Sequence, residues 1–415
     1  MNTPYKLLHF LILLASILMA SCSPANTPKN ETSPTILPTP IGTIAPTRFP
    51  SPTKSVDLAK LTTNCVKILD MSPKDVKLRN SLVLSNTSGN SYILNLETNG
   101  KTYLDNAPSD GVSVAPDMNK LAYINYDSGT LVIKDVEGKD LRLLDGYDGH
   151  FSLIEWLDNE NIAINKANDE EPPFTDYSLL ILNTLTDANK QFYIGDFPDG
   201  NRAPKSVSWS YFGKIVPNSQ LTEVIYPAEG DGYPVVLWDI KSKSEIRRVY
   251  FSDSLPAPVW SSDGAKILIT APVKFNGYVN FIDTLPYQGG DELFVINDKG
   301  EVKRLTYLTT TYKESVYMAS SWSPTEEYIA FDLQNRNEPD FGLSILNVNT
   351  GKITNFCIHD NWAPIFWSPD GNQIAFTLGN GFEPLASKAY ILDLEKNLAF
   401  KIADHAIVAG WMTNK

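Results

Sequence analysis

The chain has 415 residues, with 48 acidic against 35 basic side chains and a formal charge of −13. That balance disfavours general binding to nucleic acid or other anionic polymers. No Gly-x-Ser-x-Gly elbow, His-Glu-x-x-His pair, P-loop or dinucleotide-binding fingerprint occurs, so no common catalytic signature is present.

The N-terminus reads as a targeting segment. Lys6 supplies a positive charge, and Leu7 to Met19 is apolar apart from His9 and Ser16. The run is short for a spanning helix and gives way to small and polar residues, the pattern of a signal peptide over residues 1–21. Leu18-Met19-Ala20-Ser21-Cys22 resembles the bacterial lipobox. That resemblance implies cleavage before Cys22, acylation of Cys22, and a lipid-anchored, extracytoplasmic protein held by several acyl chains. Residues 22–55 are rich in Pro, Thr and Ser. Their sparse apolar side chains cannot repay chain entropy, so they form a disordered tether. Residues 56–80 are a lead-in, with 62–80 placed as an edge strand or a short approach to the body.

From 81 to 415 the chain repeats a phrase. Trp367-Ser368-Pro369-Asp370-Gly371 followed by Ile374-Ala375-Phe376 is the clearest copy; the phrases at Trp322 and Trp260 match it closely. Aligning Val114, Trp156, Trp209, Trp260, Trp322, Trp367 and Trp411 gives intervals of 42, 53, 51, 62, 45 and 44 residues. Each copy reads as strand, tight turn, strand, because Asp-Gly and Asp-Asn accept turn dihedrals and the flanks are β-branched or aromatic. Two further strand signals follow each copy, such as Gly342 to Val348 and Lys352 to Phe356. Four strands per unit make a propeller blade. The first unit, with strands at 81–84, 91–96 and 101–104, lacks a phrase of its own, and the phrase at Ile407 to Trp411 lacks later strands. The two halves are expected to complete one blade. The fold is therefore all-β, a seven-bladed β-propeller closed by a C-terminal strand in the first blade, with six blades as the alternative.

The Trp-Ser-Pro-Asp-Gly-x-x-Ile-Ala-Phe phrase resembles the WD40-like repeat of TolB-type propellers, over about residues 80–415. The resemblance implies that the phrase is structural, its aromatic and apolar positions packing between blades. The same repeat occurs in TolB, in the propellers of prolyl-oligopeptidase-like enzymes and in surface lipoproteins. This chain departs from TolB in its lipobox, its blade count and the absence of an evident N-terminal α/β domain, and from the peptidases in lacking a hydrolase domain. No partner role is carried over.

Candidate sites lie between the repeats. Phe275, Tyr278, Phe281 and Tyr287 occupy the longest interval and would suit peptide or glycan contact; local packing of a hairpin extension is the alternative. Asp332, Asn335, Asn337, Glu338 and Asp340 offer hard oxygen ligands for calcium, against the plainer reading of a solvated acidic turn. No other cofactor is implied. Cys65 and Cys357 remain beside Cys22, and an exported protein can join them in a disulfide or leave them as thiols. Two function classes stay open. One is a membrane-anchored recognition or scaffold protein binding an envelope protein, peptide or glycan through its loops. The other is an envelope hydrolase or lyase acting at the central face. The absence of a catalytic signature favours the first.

Overall fold

In the computed structural model, described residues run from 61 to 414. The connections 71–75, 77, 87–89, 108–110, 148–150, 168–176, 194–195, 199–214, 229–233, 252–257, 283–288, 311–315, 335–341, 362–363 and 380–385 lie outside them, as do 1–60 and 415. The expected signal peptide, the expected lipidation site Cys22 and the expected tether therefore fall outside the described residues.

Among the described residues, strands joined by turns make up most of the chain. β1 (Leu61–Thr63) and β2 (Lys67–Leu69) come first. Blade 1 then begins with β3 (Ser81–Asn86), β4 (Tyr92–Asn95) and β5 (Lys101–Tyr103). Blade 2 is β6 (Ser113–Val114), β7 (Lys120–Asn125), β8 (Thr130–Asp135) and β9 (Asp140–Asp145). Blade 3 is β10 (Phe151–Trp156), β11 (Asn161–Ala167), β12 (Tyr177–Asn183) and β13 (Asn189–Tyr193). Blade 4 is β14 (Val216–Pro217), β15 (Glu223–Pro227), β16 (Pro234–Asp239) and β17 (Ser244–Tyr250). Blade 5 opens with β18 (Val259–Trp260) and β19 (Lys266–Ala271). It then throws out a hairpin, β20 (Lys274–Phe275) with β21 (Tyr278–Val279), before β22 (Glu292–Asn297) and β23 (Val302–Arg304). Blade 6 is β24 (Val316–Trp322), β25 (Tyr328–Gln334), β26 (Leu343–Asn347) and β27 (Ile353–Asn355). Blade 7 is β28 (Phe366–Trp367), β29 (Gln373–Leu378), β30 (Lys388–Asp393) and β31 (Leu398–Asp404). The last strand, β32 (Ala406–Met412), pairs antiparallel with β3, Leu82 opposite Trp411, and supplies the inner strand of blade 1. The ring has seven blades, latched by this pairing.

The Ile-Ala-Phe alternation explains the ring. Successive side chains on a strand point to opposite faces of its sheet. In the second strand of each blade the large residues pack against the preceding blade and the intervening residue against the following one. Ile374 and Phe376 join the core between blades 6 and 7, while Ala375 lies between blades 7 and 1. Ile329 and Phe331 face blade 5, and Ala330 faces blade 7. Ile162 and Ile164 face blade 2, and Ala163 faces blade 4. Among the described residues seven apolar clusters result, one at each seam.

The recurring tryptophan of the phrase ties five of the seven seams a second way. Indole N–H groups of Trp156, Trp260, Trp322, Trp367 and Trp411 donate to the carbonyls of Ser113, Val216, Val259, Ser321 and Phe366, each on the inner strand of the preceding blade, at 3.0–3.3 Å. Blade 2 has Val114 there instead. It packs against Gly410, where a Cβ would sit 2.7 Å from Val114 Cγ2 and φ is 151°. Blade 4 corrects the sequence alignment. Its inner strand ends at Pro217, not Trp209, because Pro217 stands opposite Val224 as Trp367 stands opposite Ile374. Asn218 takes the serine's place, its Oδ1 accepting from Glu223 N–H as Ser368 Oγ accepts from Gln373 N–H. Trp209 itself lies outside the described residues.

The lead-in is two strands. β1 adds parallel to the outer edge of blade 6, on β27, and β2 adds parallel to that of blade 7, on β31. Between them Cys65 is disulfide-bonded to Cys357, with Cα atoms 4.9 Å apart. Asn64 and Asn397 exchange side-chain amide hydrogen bonds at 2.8 and 3.2 Å.

Candidate functional site

The two faces of the ring are built differently. Every connection between first and second strands, and between third and fourth, is four or five residues long. These turns close on themselves. Ser261, Ser323 and Ser368 Oγ each accept a main-chain N–H from five residues on. Gly371 holds φ at 71°, a value glycine takes without penalty. Neighbouring first turns also touch around the ring. Asp117 N–H donates to Asn159, Ser262 to Glu326, and Thr413 to the Met118 carbonyl. The turns of this face are short and largely closed by their own hydrogen bonds.

The opposite face carries the variable connections, including 168–176, 194–215 and 272–291. Length on one face only is the arrangement of a recognition surface on a rigid scaffold. The blade-5 insertion at 272–291 is the best described. Its root is Asn280, 3% exposed. The Asn280 amide N–H₂ donates to the Tyr250 and Pro272 carbonyls at 2.5 and 3.0 Å, and its Oδ1 accepts from Tyr250 N–H at 2.9 Å. Arg247 donates to the Asn280 carbonyl at 2.6 Å and lies 5.7 Å from the Phe281 ring centre. The insertion is thus bolted to β17 of blade 4 as well as to its own blade.

The sequence candidates separate here. Tyr278 is exposed and stacks on Tyr250 at 4.1 Å with an interplanar angle of 11°. Phe275 is half-buried at the hairpin. Phe281 does not face solvent: it is 4% exposed and stacks on Phe294 at 3.8 Å, because Asn280 turns the chain inward there. Tyr287 lies outside the described residues. Val279 and Ile282, at 58% and 91% exposure, complete the outward surface; neither was singled out from sequence, where isolated aliphatics give no signal. The platform beneath is fixed by Glu292 and Arg304, both buried. The Glu292 carboxylate accepts from Arg304 Nη2 at 2.8 Å, from Thr309 N–H at 2.7 Å and Oγ1 at 2.6 Å, and from the Thr306 hydroxyl.

Of the calcium candidates, only Asp332 lies among the described residues; Asn335, Asn337, Glu338 and Asp340 do not. Asp332 sits on β25, 1% exposed, its Oδ2 accepting from Gln334 and its Oδ1 without a hydrogen-bond partner. Burial, with the nearby charge of Asp360, pushes its carboxyl up to about 7. Among the described residues no group of three or more His, Cys, Asp or Glu is arranged to hold a metal ion. On the turn face Glu223, 5% exposed, is likewise pushed up to about 7 by burial and by Asp298 and Asp239. The described residues of the seven inner strands include one carboxylate, Glu155.

No known family's sequence profile matches the chain, and no curated protein matches it. Solved structures do. Acylaminoacyl peptidase of Pyrococcus horikoshii aligns with 81% of this chain and 54% of its own, at TM-score 0.50 and 14% identity. The chain spans about half the length of that peptidase. TolB from Acinetobacter baumannii aligns over 78% and 79% of the two chains, at TM-score 0.45 and 13% identity. The β-propeller domain of the Trilobed protease from Pyrococcus furiosus aligns over 72% and 83%, at TM-score 0.44 and 15% identity. Identities this low speak for the fold alone, a β-propeller.

Proposed function

We propose that the protein is a membrane-anchored, extracytoplasmic recognition or scaffold protein that takes a protein, peptide or glycan on the long-loop face of its ring. The observation that carries this is the blade-5 insertion. It presents Tyr278, Val279 and Ile282 outward while Asn280 clamps its root across two blades. An apolar group held on a rigid base loses little entropy on binding. The signal sequence and lipobox ending at Cys22 support the anchored location. The competing reading, a hydrolase or lyase at the central face, gains no support from inner strands that bring one carboxylate among their described residues.

The test uses the compact unit Val56–Lys415 against peptide and glycan arrays. The proposal expects binding that Tyr278→Ala with Ile282→Ser weakens by about tenfold or more, without turnover. Turnover of any arrayed substrate that Glu155→Gln abolishes would overturn it.

A further inference from the structure

A charge taken partly out of water is ordinarily paired, because burial penalises it. Among the described residues Arg142, Arg248 and Arg304 each face a carboxylate, of Asp187, Glu245 and Glu292. Arg79 is exposed to water. Arg247 has neither. It is half-buried on β17, and its Nε is buried without a hydrogen-bond partner. Among the described residues no carboxylate pairs with it. Its hydrogen bond from Nη2 goes to a neutral acceptor, the Asn280 carbonyl, at 2.6 Å. Burial holds its guanidinium below the ordinary arginine pKa, and no acidic neighbour opposes that shift. Its place matters as much as its charge. Asn280 lies between Tyr278 and Val279 on one side and Ile282 on the other, all three exposed. The unpaired cation and the outward apolar surface therefore belong to one short stretch of the insertion.

We propose that the blade-5 insertion takes an apolar peptide segment bearing a carboxylate, the carboxylate on Arg247 and the apolar side chains on Val279 and Ile282. This rests on the recognition reading above and names the chemistry of its ligand. A guanidinium is a planar fork of donors that matches a carboxylate, and arginine beside tyrosine is a common centre of binding energy. The two exposed aliphatic side chains favour a peptide over a glycan. A sugar ring would seek an aromatic face, and one face of Tyr278 is already taken by Tyr250. Nucleic acid and anionic membrane surfaces need a field of many cations, which a chain of charge −13 opposes. One unpaired guanidinium selects a single anionic group.

The probe is an array of short peptides built from valine, leucine and threonine. Each sequence is made in three forms: a central glutamate with an amidated C-terminus, a central glutamine with an amidated C-terminus, and a central glutamine with a free C-terminus. Fluorescence polarisation gives their affinities for the purified full chain. The proposal expects at least one carboxylate form to bind about tenfold or more tighter than the form with none. Which form does so tells a side-chain carboxylate from a terminal one. Arg247→Gln should bring the tighter form down to the carboxylate-free one and leave the latter unchanged. The peptide comparison is made on the parent protein, so it stands even where Arg247→Gln loosens the insertion. Equal affinity of the three forms, each weakened by Tyr278→Ala with Ile282→Ser, would overturn the carboxylate and keep the recognition reading. Binding indifferent to that pair of substitutions, or no binding by any peptide or by an oligogalacturonate, would overturn both. An oligogalacturonate that binds where no peptide does would overturn this proposal alone, making the partner a glycan.

Discussion

A single indole N–H at each of five seams joins one blade to the inner strand of the one before. Trp367 is 5% exposed and donates to Ser321 at 3.2 Å. Trp367→Phe keeps most of the buried ring but leaves that carbonyl unpaired. It should lower stability by about 1–3 kcal/mol in urea titration, with the slope unchanged. The same physics explains why one phrase escaped alignment. In blade 4 the indole is absent, Pro217 occupies its place, and Asn218 copies the serine's hydrogen bond with a different side chain. A residue-type pattern finds the tryptophan; it cannot find a bond made by a substitute. Glu223 brings a pH dependence. Its folded carboxyl titrates at about 7, above the ordinary range, so the fold favours the protonated form. That contribution is complete at and below about pH 4.5 and is lost as pH rises through 7. Thermal unfolding of Glu223→Gln should therefore match the parent near pH 4 and exceed it near pH 8, by about 3 kcal/mol at most. A gain that is equal at both pH values would contradict the assignment.

At the scale of elements, strands were legible because alternation and turn chemistry are local. The strands of blade 1 at 81–86, 92–95 and 101–103 lie where the sequence put them. The insertion was legible only as an interval of unusual length. Which of its rings face out depends on Asn280 reaching Tyr250 of another blade, a contact with no local signature. Phe281 is buried for that reason. Asn280→Ala should loosen the insertion, leaving the Tyr250 N–H without its partner. Faster hydrogen exchange is expected at Tyr250 and at residues 274–282, with a stability loss of about 1–3 kcal/mol. The Glu292–Arg304 pair gives a sharper contrast. Arg304→Met alone strands a buried carboxylate and should cost about 3–5 kcal/mol, whereas adding Glu292→Gln should recover a large part of that loss in a double-mutant cycle.

At the scale of the molecule, closure was legible because the first and last repeats are each incomplete. The strap formed by β1 and β2 was legible only as an edge strand or short approach over 62–80; the edges it joins were not, because three-residue strands that add in parallel depend on edges assembled from distant sequence. Cys65–Cys357 joins residues 292 apart and fastens the strap beside β27. The pair Cys65→Ser with Cys357→Ser should lower the unfolding free energy by about 2–5 kcal/mol and speed exchange in 61–69 ahead of the blades.

The central claim is that recognition occurs on the long-loop face around the blade-5 insertion. A photocrosslinking residue placed at Ile282, and separately at the exposed turn-face position Asn372, tests it most directly in cells making the full chain. The account predicts discrete crosslinked species from position 282 and none from 372. Crosslinks from 372 alone would contradict it.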